Sequence, residues 1–266
     1  MNIIKRNFLI IIVLLYSNGL FAQSDSVFKK EIIAGDYKVF LTNNESEYFT
    51  GSIKVVDIDN NTVFSADSFY SGYSWDTLID LDKNGTEELI LDFTTGALIY
   101  DYNMILIFDL SKDHKSIIPF EIHNADLDTK TDDRPKIVSN VRLSPSVLGA
   151  GYTYSLKYEN GKPVLEDNME KSKVLKSFDS EEIEEQYMIS DYKKELDECA
   201  EDSNILVYYE ACLMQQKILG QEERGWEFFD SSYNCKDKTK VRAELKNLVN
   251  ENYGNLKNSD FRFNEE

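Results

Sequence analysis

Residues 75–93 read WDTLIDLDKNGTEELILDF. Asp80, Asp82, Asn84 and Glu88 place oxygen-bearing side chains at the first, third, fifth and ninth positions of a nine-residue loop, with Gly85 sixth. A glycine there supplies the positive φ that turns the chain back, so the oxygens can close around one hard cation. Thr86 adds its backbone carbonyl, and Glu88 closes the cage directly or through water. The predicted calcium ligands are Asp80, Asp82, Asn84, Thr86 and Glu88. The plain alternative is an acidic turn in which Asp and Asn bond to their own backbone. Trp75–Ile79 before the loop and Leu89–Phe93 after it are strand-like. The twelfth position is Leu91, where a helix–loop–helix calcium motif needs a bidentate glutamate. A strand–loop–strand unit therefore sets the architecture as antiparallel β.

From about Glu31 to Glu166 the chain continues in this manner. Tyr37–Leu41, Ser52–Val56, Met104–Phe108 and Tyr152–Tyr158 are short runs rich in β-branched and aromatic residues, separated by turn-forming clusters. Asp59-Asn60-Asn61 and Asn160-Gly161 read as hairpin turns, the second more strongly because both of its residues tolerate positive φ. Met104–Phe108 has no polar alternation and is expected to be buried on both faces. In Phe69–Trp75 the aromatics fit a strand that fills the core better than an exposed binding platform.

After Glu166 the period becomes helical. Asp179 with Glu182 forms a capping box ahead of Met188, Tyr192, Leu196 and Cys199. Asp202 or Ser203 caps a second helix, with Ile205, Tyr209, Cys212 and Leu213 on its apolar side and Gly220 at its end. A third runs from Glu222 to Ser231. A fourth carries Val241, Leu245, Leu248, Val249 and Tyr253 and stops at Gly254. The expectation is an α+β chain. Residues 1–22 are a signal peptide, 23–167 an antiparallel β domain (propeller-like or a sandwich) with the calcium loop, 168–178 a linker and 179–266 an α-helical domain.

The helices choose among Cys199, Cys212 and Cys235. Cys212 lies roughly nine residues up its helix, about 13 Å along the axis from Cys199, beyond the reach of a disulfide. The next helix returns and carries Cys235 back. Cys199–Cys235 is the predicted bridge, with Cys212 a buried thiol, consistent with an oxidising compartment.

That compartment follows from the N-terminus. Lys5 and Arg6, the apolar run Phe8–Leu15 and Ala22 before Gln23 have the layout of an export signal. The apolar run is shorter than the roughly 20 residues a membrane span needs. The expected location is periplasmic or secreted, with no membrane attachment after cleavage. Cleavage removes Lys5 and Arg6 and takes the formal charge from −19 to −21. So acidic a surface excludes nucleic acid as a partner and favours a basic one. With 42% apolar residues, 16 Tyr and 15 Phe, the chain can build a packed core.

Catalytic motifs are not evident: there is no nucleophile elbow, zinc-binding helix or phosphate loop. His114 and His123 read as surface residues. Asn124, Asp126, Asp128 and Asp132 repeat the calcium spacing, but Thr129 replaces the glycine and Lys130 adds a positive charge. That segment reads as a solvated acidic loop.

The 80–88 loop and the strand behind it resemble FG-GAP and VCBS-type calcium-loop β proteins. Asn84 and Glu88 stand in for two aspartates of that pattern. In general character the chain is similar to exported calcium-binding lysozyme inhibitors and effector-immunity proteins. The resemblance implies a non-enzymatic, protein-binding module whose partner is a basic hydrolase or toxin. The alternative is a secreted, calcium-stabilised hydrolase acting on polysaccharide or peptidoglycan through paired carboxylates.

Overall fold

The computed structural model describes residues 27–44, 50–70, 72–94, 103–110, 117–130, 134–143, 150–166, 199 and 205–263. Among these residues twelve strands make up the β region: β1 (Val27–Ala34), β2 (Tyr37–Asn44), β3 (Thr50–Val56), β4 (Thr62–Tyr70), β5 (Gly72–Ile79), β6 (Glu88–Thr94), β7 (Asn103–Phe108), β8 (Phe120–His123), β9 (Ala125–Asp128), β10 (Lys136–Arg142), β11 (Gly151–Tyr158) and β12 (Pro163–Leu165). They form three four-stranded antiparallel sheets, β1-β2-β3-β4, β5-β6-β7-β8 and β9-β10-β11-β12, each a meander taken in chain order. Local turn chemistry sets the hairpins. Asn160 and Gly161 adopt φ of 56° and 75°, and Glu159 and Lys162 exchange backbone hydrogen bonds across them, as the Asn-Gly pair predicts. Between β3 and β4 the Asp57 carboxylate accepts from the Asp59 and Asn61 backbone amides and Asn60 takes φ 64°.

The middle sheet is covered on both faces. Leu89, Leu91, Phe93, Met104, Leu106 and Phe108 pack against the first sheet, in one cluster with Val39, Leu41, Ile53 and Val55. Ile90, Ile105, Ile107 and Ile122 pack against Ile137, Leu156 and Tyr158 of the third. This is why β7 lacks alternation: every residue in it is buried. A bulge between Tyr73 and Trp75 in β5 interrupts the two-residue period. It sends Tyr73 to the first of these cores and Trp75 to the second, so these aromatics are packing residues.

Among the described residues three helices follow: α1 (Ile205–Ile218), α2 (Glu222–Ser232) and α3 (Lys238–Lys257). Their apolar faces join the core of the third sheet. Gly220, at φ 78°, ends α1 as expected. Gly225 of α2 lies so close to α1 that a Cβ there would sit 3.1 Å from Cβ of Gln216. Tyr209, Trp226, Phe229 and Tyr233 form a ring cluster between α1, α2 and the residue after α2. Beyond the short β12, the backbone of β11 is met by a side chain. The Thr153 amide donates to Gln215 Oε1 at 2.8 Å and Gln215 Nε2 donates to the Thr153 carbonyl at 3.2 Å. The Cys199–Cys235 disulfide is present, with Cα atoms 5.6 Å apart, and Cys212 is a buried thiol outside it.

Two expectations are corrected. Helix α3 does not stop at Gly254 but continues to Lys257. Leu256 still meets the core, and the Asn258 amide and side chain both donate to the Gly254 carbonyl. The segment after Asn124 is not a loop: Ala125–Asp128 pairs with β10 because Ala125 and Leu127 alternate into the core. The chain then returns to the β region. The Glu121 amide donates to the Phe261 carbonyl at 2.7 Å and the Phe263 amide to the Pro119 carbonyl at 2.9 Å. The expected signal peptide, the linker, the capping box at Asp179, the helix through Met188, Tyr192 and Leu196, and His114 all lie outside the described residues.

Candidate metal centre

The loop joining β5 and β6 is built from its own side chains. Asp80 accepts from the Asn84 amide at 3.0 Å and the Gly85 amide at 2.8 Å. Asp82 accepts from the Asn84 amide at 3.2 Å, and Asn84 Oδ1 from the Thr86 amide at 2.7 Å. Lys83 and Gly85 carry the positive φ values, 60° and 93°, that reverse the chain. Gly85 suits its place, since a left-handed backbone carries no Cβ penalty there.

This wrapping brings carboxylate oxygens of Asp80, Asp82 and Glu88 within 4.8 Å of one another. Asn84 and Thr86 stand on the same turn, with the Asn84 side-chain oxygen already engaged. The three carboxylates differ in setting. Asp80 and Asp82 are half-buried at the surface, whereas Glu88, the first residue of β6, is 1% exposed. Its carboxylate accepts from the Leu81 amide at 2.8 Å. Burial, then the charges of Asp82 and Asp109, push its pKa up to about 7 despite that bond. An all-oxygen, carboxylate-rich donor set of this kind suits a hard divalent cation and not a soft one.

A second feature was not foreseen from the sequence. The returning segment Ser259–Phe263 closes a cleft of about 980 Å³ against β8 and β10, lined among others by Glu121, His123, Asn140, Arg142, Tyr154 and Arg262. His123 Nε2 lies 2.7 Å from Glu121 Oε1, and Arg262 Nε 3.4 Å from Asp260 Oδ1. Its walls come from residues more than a hundred positions apart, so no local pattern announces it. Only the alternation of polar residues along β8 and β10 hinted at an accessible face. Asp126 and Asp128 of the weaker calcium match lie on β9. Among the described residues, the acids gathered with metal-binding geometry are those of the 80–88 loop.

No family model, curated protein or solved structure significantly matches this chain.

Proposed function

We propose that this chain is an exported, calcium-binding interaction module of the cell envelope that binds and blocks a basic cell-wall hydrolase or toxin. The observation that carries the reading is the convergence of Asp80, Asp82 and Glu88. Three carboxylates so close repel one another, and calcium, which takes six to eight oxygens at about 2.3–2.6 Å, relieves that repulsion. The Lys5-Arg6 and apolar opening of the chain supports export, to a compartment where a disulfide is stable. Three consecutive four-stranded meanders packed face to face favour a propeller-like relationship over a two-sheet sandwich, in keeping with the likeness to FG-GAP and VCBS-type loops.

The formal charge of −19 supports a basic partner. The cleft favours binding over hydrolysis. Its carboxylates are engaged by neighbouring side chains, Glu121 by the His123 ring and Asp260 by the Arg262 guanidinium, whereas glycoside hydrolysis needs two carboxyl groups facing each other across the scissile bond. The test is affinity purification from the native envelope in calcium, followed by assay of the captured protein. The expected result is a basic hydrolase or toxin whose activity falls as this protein is added. Turnover of peptidoglycan or polysaccharide by the purified chain, with no such partner recovered, would overturn the reading in favour of a calcium-stabilised hydrolase.

A further inference from the structure

Leu81, within the 80–88 loop, belongs to the core that the middle sheet shares with the third, and two residues outside the loop point to a larger site. In the β6–β7 ladder Leu89 pairs with Phe108, so the next position sets Asp109 beside Glu88. Along β6, Glu88 follows the alternation of Ile90, and along β7 Asp109 follows that of Ile107. Both isoleucines face the third sheet. From that sheet Tyr158, the last residue of β11, projects into the same layer. It is 2% exposed and meets Phe120 edge to face at 6.1 Å between ring centres.

The Tyr158 hydroxyl is buried and, among the described residues, has no hydrogen-bond partner. Its environment is defined all the same: burial, followed by the charges of Asp109, Glu88 and Asp82, raises its pKa. The acids whose charges it feels are those of the loop and Asp109, at the end of the layer that Tyr158 shares with Ile90 and Ile107. A buried hydroxyl left unsatisfied is costly, and such groups call for a partner such as an ion or its water.

We infer that the cation site extends beyond the loop, with Asp109 as a further carboxylate and the Tyr158 hydroxyl as hydrogen-bond donor to the ion's carboxylate and water shell. This rests on the reading of the loop as a calcium site. It makes the ion a clamp between the middle and third sheets, since Asp80, Asp82, Glu88 and Asp109 belong to one and Tyr158 to the other. Phenol and carboxylate around one ion form the oriented outer shell that tunes many metal sites.

The experiment measures calcium affinity by calorimetry and thermal unfolding, with and without calcium, for the full chain and for D80A, Y158F and D109N. Y158F keeps the ring and its contact with Phe120. Without calcium its Tm is expected to equal or exceed that of the unsubstituted chain, because only an unsatisfied hydroxyl is lost. In calcium its affinity is expected to fall about 10- to 100-fold, and D109N is expected to fall similarly. Unchanged affinity in Y158F and D109N, with D80A abolishing binding, overturns the extended site and leaves the loop site standing. A lower metal-free Tm for Y158F also overturns it, since the hydroxyl would then have a partner without the ion. No calcium binding by the unsubstituted chain overturns the loop reading and this inference together.

Discussion

Two segments of this chain carry oxygen ligands at the same spacing and have different fates. In 80–88 the acids turn inward, and Asp80, Asp82 and Glu88 meet. In the second segment the chain turns at Asn124, at φ 49°, and then runs straight through Ala125–Asp128. Asp126 pairs opposite Val138 and Asp128 opposite Lys136 in a regular ladder. The contrast shows what the spacing alone is worth. Acids at positions one, three and five also have the two-residue period of one face of a strand. Whether they form a loop or a strand face is decided by the residues between and after them. In the first segment Lys83 and Gly85 adopt positive φ. In the second Ala125 and Leu127 are drawn into the core, and Thr129 stands where a glycine would have allowed reversal.

The comparison can be broken or sharpened by measurement. The largest effect is expected from calcium itself. At a hundredfold excess over Kd, a ligand bound only by the folded state adds about 2.7 kcal/mol, which for a chain of this size raises Tm by several degrees. D80A and D82A should abolish the gain and D126A should leave it intact; equal responses from D82A and D126A would erase the distinction between the segments.

Next comes Glu88. Its folded pKa, about 7 without metal, lies above the ordinary 4.5, so the folded state holds the proton more tightly than the unfolded one. The metal-free protein should lose stability as pH rises from about 4.5 to 7. E88Q removes that slope and should be more stable than the unsubstituted chain at pH 8 by on the order of 2 kcal/mol, while losing calcium binding. Denaturant unfolding at pH 5 and pH 8 checks the sign, and parallel pH profiles for both proteins would refute it.

G85A is expected to cost about 1 kcal/mol through backbone strain at φ 93°, because a Cβ there meets nothing within 4 Å. Chemical denaturation without calcium measures it. T129G should change stability by no more than about 1 kcal/mol and create no second calcium site, because β9 is held by pairing and burial. Calorimetry showing two calcium ions bound to T129G would mean that glycine alone decides.

What could be read from the sequence was what short-range physics dictates. The Asn160-Gly161 hairpin, the Gly85 reversal and the doubly buried β7 each depend on a few adjacent residues. The disulfide was legible because helix length is a ruler, and it separates Cys212 from Cys199. β9 was missed because the acid spacing drew more notice than the Ala125–Leu127 alternation beneath it. The end of α3 was misplaced because Gly254 suggests a stop, whereas Leu256 still has core to reach. Asp109 and Tyr158 carry no motif at all. Asp109 comes beside Glu88 through the β6–β7 pairing and Tyr158 joins their layer only through the stacking of two sheets, as the cleft arises only when Phe261–Phe263 folds back on β8.

The Gln215 amide, which takes both backbone groups of Thr153, has a consequence for solubility. It presents to β11 the donor and acceptor that a neighbouring strand would offer, and so occupies a site where another molecule could add one. Replacing it with leucine would leave that backbone pair unsatisfied, and the outcome to look for is polymer growth by strand addition at β11, not simple unfolding. Among the described residues, one glutamine on a helix thus closes the stretch of β11 that β12 leaves uncovered.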